Sequence, residues 1–179
     1  MLNASKEDSW QMRLTLLKLM QRVLFRNLFL NRVHSKRIEE IVIRLLEDPR
    51  LEVRECAGRT LSGLFRCHIL TPSIEKRNYF NDMYRKYKKG TNEIKKHAAV
   101  LGLEALINSA PYEWVTGDFR QSAKLTLSIP TWLPSTIEPL CIAASLSKNC
   151  ASKVSAQKAL REFKRTHQDQ WEEHMEKVL

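Results

Sequence analysis

Residues 38–65 read IEEIVIRLLEDPRLEVRECAGRTLSGLF. Ile38, Ile41, Val42, Leu45 and Leu46 fall at i, i+3, i+4, i+7 and i+8, the spacing that gathers side chains on one flank of an α-helix. Asp48-Pro49 then stops that helix, because proline lacks the N–H and disfavours helical backbone at the residue before it. Beyond the break, Val53, Cys56, Ala57, Thr60, Leu61, Leu64 and Phe65 form a second stripe of the same kind. Two amphipathic helices joined by a tight Asp-Pro turn predict an antiparallel hairpin.

The pattern recurs along the chain. Phe80, Met83, Tyr84 and Tyr87 make one short stripe. After Lys88-Lys89-Gly90-Thr91-Asn92, a second stripe runs through Ile94, His97, Ala98, Leu101, Ala105 and Leu106. A third pair takes Leu133, Ile137, Leu140, Cys141 and Ala144, then Ala156, Ala159, Leu160 and Phe163. Ala98 lies 41 residues beyond Ala57, and Ala156 lies 58 beyond Ala98. The surplus matches the connection Glu113–Ile129 (EWVTGDFRQSAKLTLSI). A helix pair repeating near 41 residues lies in the HEAT/armadillo range. One hairpin cannot bury its own apolar face, and stacked neighbours supply the missing partner.

The expected fold is therefore all-α: a solenoid of about three to four HEAT-like hairpins. Its parts are a first helix over 9–33, hairpins over 36–70 and 73–110, and a loop or insertion over 111–131. A last hairpin with a C-terminal helical extension covers 132–178. The apolar stripe of 9–33 is wide, which predicts burial on more than one side. Solenoid ends need polar caps. This helix offers none on its outer flank, so self-association in isolation is expected.

Composition agrees with a helical globular chain. Among 179 residues, 43% are hydrophobic and only 5 are glycine and 6 proline, too few for a turn-dense all-β chain. No apolar run approaches the roughly 20 residues of a membrane span. The N-terminus lacks the apolar core of a secretory signal. Cys56, Cys67, Cys141 and Cys150 match no zinc spacing and read as reduced thiols of a nuclear or cytoplasmic protein.

Catalytic patterns fail on spacing. His167 and His174 do not form H-E-x-x-H, and the Ser-x-x-Lys matches at Ser73, Ser145 and Ser155 lack accompanying motifs. No glycine-rich phosphate loop is present. His97 lies on an inner stripe and reads as a hydrogen-bonded core histidine. No catalytic residue, metal site or cofactor is expected.

Thirty Lys+Arg against 20 Asp+Glu leave a net charge of +10. Much of the excess sits between residues 76 and 96, in Lys76, Arg77, Arg85, Lys86, Lys88, Lys89, Lys95 and Lys96. Tyr79, Phe80, Tyr84 and Tyr87 interleave with them. Cations with aromatics suit nucleic acid, an inositol phosphate or an acidic protein face. The same residues also suit a solvated helix face whose aromatics point inward.

LEVRECAGRTLSGLFRCHIL (51–70), KKHAAVLGLEALINSAPYEW (95–114), PTWLP (130–134) and FKRTHQDQWEEHMEKV (163–178) carry a resemblance. Together they resemble the C-terminal HEAT-repeat region of the proteasome activator complex subunit 4 family. The resemblance implies a long solenoid that caps the 20S core, binds its α-ring and loosens the gate without ATP. It also implies links to degradation of acetylated histones, to DNA repair and to work in the nucleus and cytoplasm. Three departures stand out. The chain stops at Lys177-Val178-Leu179, before the family's hydrophobic-Tyr-X tail. Glu113–Ile129 intervenes where relatives pass directly to Pro-Thr-Trp. His68 and Ile69 stand where an acetyl-lysine reader would place an asparagine and an aromatic, so that site is not carried over.

Overall fold

In a computed structural model, the described residues are 9–27, 32–109, 113–115, 126–128 and 132–166. They form seven α-helices: α1 (Trp10–Arg26), α2 (Ser35–Leu46), α3 (Leu51–Arg66), α4 (Ile74–Tyr87), α5 (Glu93–Ile107), α6 (Leu133–Ala144) and α7 (Ala151–Thr166). A short 3-10 turn, Arg32–His34, leads into α2.

Three hairpins, α2/α3, α4/α5 and α6/α7, follow one another, and their second helices form a layer. In that layer α1 packs on α3, α3 on α5, and α5 on α7. The first helices α4 and α6 meet in the opposite layer. Each helix thus packs mainly on its hairpin partner and its immediate neighbour in the stack, as in an α-solenoid. The sequence stripes are the buried ones: Val42, Leu46, Val53, Ala57, Leu64, Ala98, Leu106, Ile137, Leu140, Ala156 and Ala159 are almost fully enclosed. Central α5 is buried nearly all round, from Lys96 to Ile107.

Small residues set the helix spacing. A Cβ placed on Gly102 of α5 would clash with the edge of the Phe80 ring on α4, which is itself fully buried. Gly102→Ala should destabilise the fold by about 1–3 kcal/mol, the usual cost of overpacking. Thermal denaturation checks this, and Phe80→Leu in the same chain should return part of the loss.

Three differences from the sequence reading have local causes. The first helix ends at Arg26 rather than continuing to 33: Asn27 leaves helical backbone, at φ −123° and ψ 48°, and its side-chain amide donates back to Val23 O at 2.9 Å. That helix is also buried on one side only, through Arg13, Leu17 and Leu24. The stretch 111–131 is not loop throughout. Strands β1 (Glu113–Val115) and β2 (Thr126–Ser128) pair antiparallel, with Trp114 opposite Leu127. The expected helical extension after 166 lies outside the described residues.

Helix ends are closed by local chemistry. Ser9 caps α1 by accepting from Met12 N, and Asn92 caps α5 by accepting from Lys95 N at 3.1 Å. α3 ends in a Schellman turn: His68 N donates to Phe65 O and Ile69 N to Leu64 O, both at 3.0 Å. His68 carries φ 54°, the left-handed conformation that costs a side-chain-bearing residue about 1 kcal/mol. His68→Gly should therefore raise stability by up to about 1 kcal/mol, measured by urea unfolding. Ile69 and Leu70 are buried behind this turn. His68 to Leu70 thus terminate a helix and seal the core.

Candidate functional site

The basic segment takes in most of α4, a tight turn and the start of α5. Gly90 N donates to Tyr87 O at 3.0 Å to close the turn. Arg85 and Lys86 in the last turn of α4 complement its dipole, as Glu93 does at the start of α5.

The fold disperses the eight cations. Lys76 pairs with Glu39 of α2 at 3.2 Å, and Lys95 with Glu47 at 3.7 Å. Lys96 is buried against Glu93 at 3.3 Å. The Arg77 guanidinium stacks over Trp132, 4.8 Å from the ring centroid. Arg85 faces Asp82 at 3.8 Å, across an exposed pair of little energetic weight. What remains together is Tyr87 with Lys86 and Lys95 over its ring, at 5.5 and 5.4 Å, and exposed Lys88 and Lys89 in the turn. Of the interleaved aromatics, Phe80 and Tyr84 are core residues and offer no stacking surface. Burial raises the Tyr84 hydroxyl pKa to about 12, so it stays protonated.

Behind this surface a polar chain crosses the stack. Asp48, in the Asp-Pro turn, takes a two-point contact from Arg13 of α1, Nε–Oδ2 2.6 Å and Nη2–Oδ1 3.1 Å. Arg54 Nη1 donates to the Asp48 carbonyl at 2.7 Å, and Arg54 Nε donates to His97 Nδ1 at 3.0 Å. His97 Nε2 meets Ser155 Oγ at 2.9 Å. Burial, aided by Arg54, pulls the His97 pKa down to about 4, with Glu93 opposing. The imidazole is therefore neutral near pH 7. A donor at Nδ1 places the ring proton on Nε2, so His97 donates to Ser155. It cannot take the serine's proton, and the pair is not a nucleophile with its base.

Glu93 closes the next junction. Its Oε1 accepts from Ser152 Oγ at 2.6 Å and Ser152 N at 3.3 Å, capping α7 from another helix. Burial works to raise this carboxyl, but the bonds from Ser152 and Cys150 and the charge of Lys96 hold it below its ordinary value.

Sequence reading missed one surface. The exposed edges of α3, α5 and α7 enclose a groove of ≈ 490 Å³, whose lining includes Arg59, Arg66, Leu101, Glu104, Lys158 and Arg165. Burial pushes the Glu104 carboxyl above its ordinary range, although Lys158 Nζ lies 3.9 Å away. The contributing positions sit in the second helix of each hairpin, so the repeat offset was the signal that links them. Among the described residues, no group of three or more His, Cys, Asp or Glu side chains could hold a metal ion. No described helix is long and apolar enough to cross a membrane. All four cysteines are free.

Residues 122–178 match the family model described as proteasome activator complex subunit 4-like, C-terminal. Proteasome activator complex subunit 4 of Homo sapiens is 34% identical over 188 residues, covering 95% of this chain and 9% of the relative. Subunit 4A of Danio rerio is 32% identical over 191 residues, 97% of this chain and 10% of the relative. Proteasome activator subunit 4 of Arabidopsis thaliana is 30% identical over 185 residues, 95% of this chain and 9% of the relative. The chain spans about a tenth of the length of these curated relatives.

Proposed function

Because the chain belongs to the proteasome activator complex subunit 4 family, we propose that it is a non-enzymatic scaffold segment of a proteasome activator. On this reading its stacked hairpins offer helix ends and inter-repeat turns to the α-ring of the 20S core. Shape complementarity, not ATP, then favours the open gate. The family's links to acetylated histones and DNA repair, in nucleus and cytoplasm, extend the reading. The observation that carries it is 34% identity to a proteasome activator subunit over 95% of the chain, together with a hairpin stack that matches the resemblance. The test is retention of this chain on immobilised 20S particles. Carried between the relatives' flanking repeats and tail, it should also raise fluorogenic-peptide hydrolysis by the core. Absence of both retention and stimulation would sink the assignment.

The Tyr87 cluster favours a second reading, an adaptor that holds nucleic acid or another polyanion. Lys86→Ala/Lys88→Ala/Lys89→Ala separates the two. It should abolish salt-sensitive DNA retention on the adaptor reading and leave 20S docking intact on the first. Lys96 is left untouched, since it serves the core beside Glu93.

A further inference from the structure

The groove across α3, α5 and α7 encloses a carboxylate with no close partner. Glu104 of the central helix has a side chain only 16% exposed, and its one ion pair among the described residues, to Lys158 Nζ, spans 3.9 Å. Its carboxylate accepts no hydrogen bond from a described residue. Burial, with Glu55 and Glu162 nearby, pushes it above its ordinary range against the pull of Lys158 and Arg59. A charged donor entering the groove would satisfy it. The charges around it are ordered by the repeat. Lys158 follows Arg59, and Arg165 follows Arg66, by 99 positions, the span from Ala57 to Ala156. Glu162 follows Glu104 by 58, the span from Ala98 to Ala156. Equivalent positions of stacked hairpins sit at equal heights, so charge crosses the groove in bands. Arg59 with Lys158 forms a cationic band, Glu104 with Glu162 an acidic one, and Arg66 with Arg165 a second cationic one. Seven residues at 1.5 Å rise put the cationic bands about 10 Å apart. All four cations are exposed. Arg66 Nε is held by Asn108 O at 2.9 Å, which fixes that guanidinium at the groove's end.

We propose that this groove binds a partner helix carrying Glu-x-x-x-Arg-x-x-Glu along one face. The arginine enters between the cationic bands and donates to Glu104. One glutamate meets Arg59 and Lys158, and the other meets Arg66 and Arg165. Positions i, i+4 and i+7 share a helical face, and for a helix running parallel to α5 they match the heights of the three bands. Lys158, 58% exposed, swings from Glu104 to the incoming glutamate. Arginine suits a largely buried carboxylate better than lysine does, because guanidinium is planar and more weakly hydrated. A wholly acidic segment, or a nucleic-acid strand, is a poorer occupant, since Glu104 and Glu162 repel its middle. A wholly basic segment is repelled at both cationic bands. The whole lining falls within described residues, on the face of the helical layer and not at an end of the stack. The inference does not depend on the proteasomal reading.

The experiment uses the full chain and three labelled, alanine-rich synthetic helices of about 18 residues, five turns. The first carries Glu-x-x-x-Arg-x-x-Glu. The second has glutamine in place of that arginine. The third has the charges exchanged, Arg-x-x-x-Glu-x-x-Arg. By fluorescence anisotropy at low salt, the first should bind about tenfold more tightly than the second, and the third more weakly than either. Glu104→Gln should bring the first two to within about twofold of each other, because the arginine loses the charge it meets. Comparing the peptides on the unaltered chain needs no variant, so a misfolded mutant leaves the test intact. Equal affinity for the first two peptides overturns the proposal, as does tighter binding of the exchanged one. So does failure of all three to bind, whether or not the chain then forms a dimer or retains DNA through the same groove.

Discussion

Asp48→Leu is expected to lower the unfolding free energy by about 3–5 kcal/mol, measured by urea denaturation at neutral pH. Asp48 and Arg13 are 6% and 7% exposed, so neither charge is screened by bulk water. Loss of the carboxylate removes the charge that the Arg13 guanidinium meets at 2.6 and 3.1 Å, in a site with little access to water. Asp48 Oδ1 also accepts from Arg50 N at 2.9 Å, which fixes the Asp-Pro turn. The double change Arg13→Leu/Asp48→Leu should recover most of the loss, because two apolar groups replace two desolvated charges. It should remain about 1 kcal/mol below the unaltered chain, for the lost turn bond. A double variant as unstable as the single one would mean that Asp48 acts through the turn and not through Arg13.

Much of this fold is legible in sequence because solenoid contacts are local. The 38–65 stripes, broken at Asp48-Pro49, correspond to α2 and α3, and the 41-residue offset brings Ala57 and Ala98 to neighbouring helices. The misses have physical reasons. Apolar residues continue past Arg26 in the sequence, but Asn27 leaves helical backbone and its amide bonds back to Val23 O, which periodicity does not encode. A run of cations is not a patch. Lys76 and Lys95 find Glu39 and Glu47 in or just after α2, a hairpin away, and Lys96 turns inward. The groove was hidden because Lys158 reaches Glu104 and Arg59 only after the extra residues between α5 and α6 are discounted. The same discount pairs His97 with Ser155, 58 positions on, at the spacing that separates Ala98 from Ala156.

That pairing supports the second large effect, a stability loss between pH 6.5 and 4 that His97 alone introduces. In the unfolded chain its pKa is near 6.5, and in the fold it lies at about 4. Above 6.5 both states hold neutral imidazole and the contribution is complete. As pH falls through this window the unfolded state binds a proton that the folded state refuses, so the unfolding free energy declines. The full span corresponds to about 3 kcal/mol, levelling off below pH 4. The refusal has a geometric cause: a proton on Nδ1 would face the Arg54 N–H at 3.0 Å, donor against donor, in a site with no exposure. Glu93 offsets part of this repulsion. His97→Gln offers a donor and an acceptor without a titrating proton, and its stability should stay flatter over the same range. Carboxylates titrate in both chains, so the difference between the two curves isolates the histidine. His97→Leu should instead cost about 2–4 kcal/mol at pH 7, since Arg54 Nε and Ser155 Oγ both lose their partner across three stacked helices. Parallel urea curves for the unaltered chain and His97→Gln from pH 7.5 to 4 would place the acid sensitivity elsewhere.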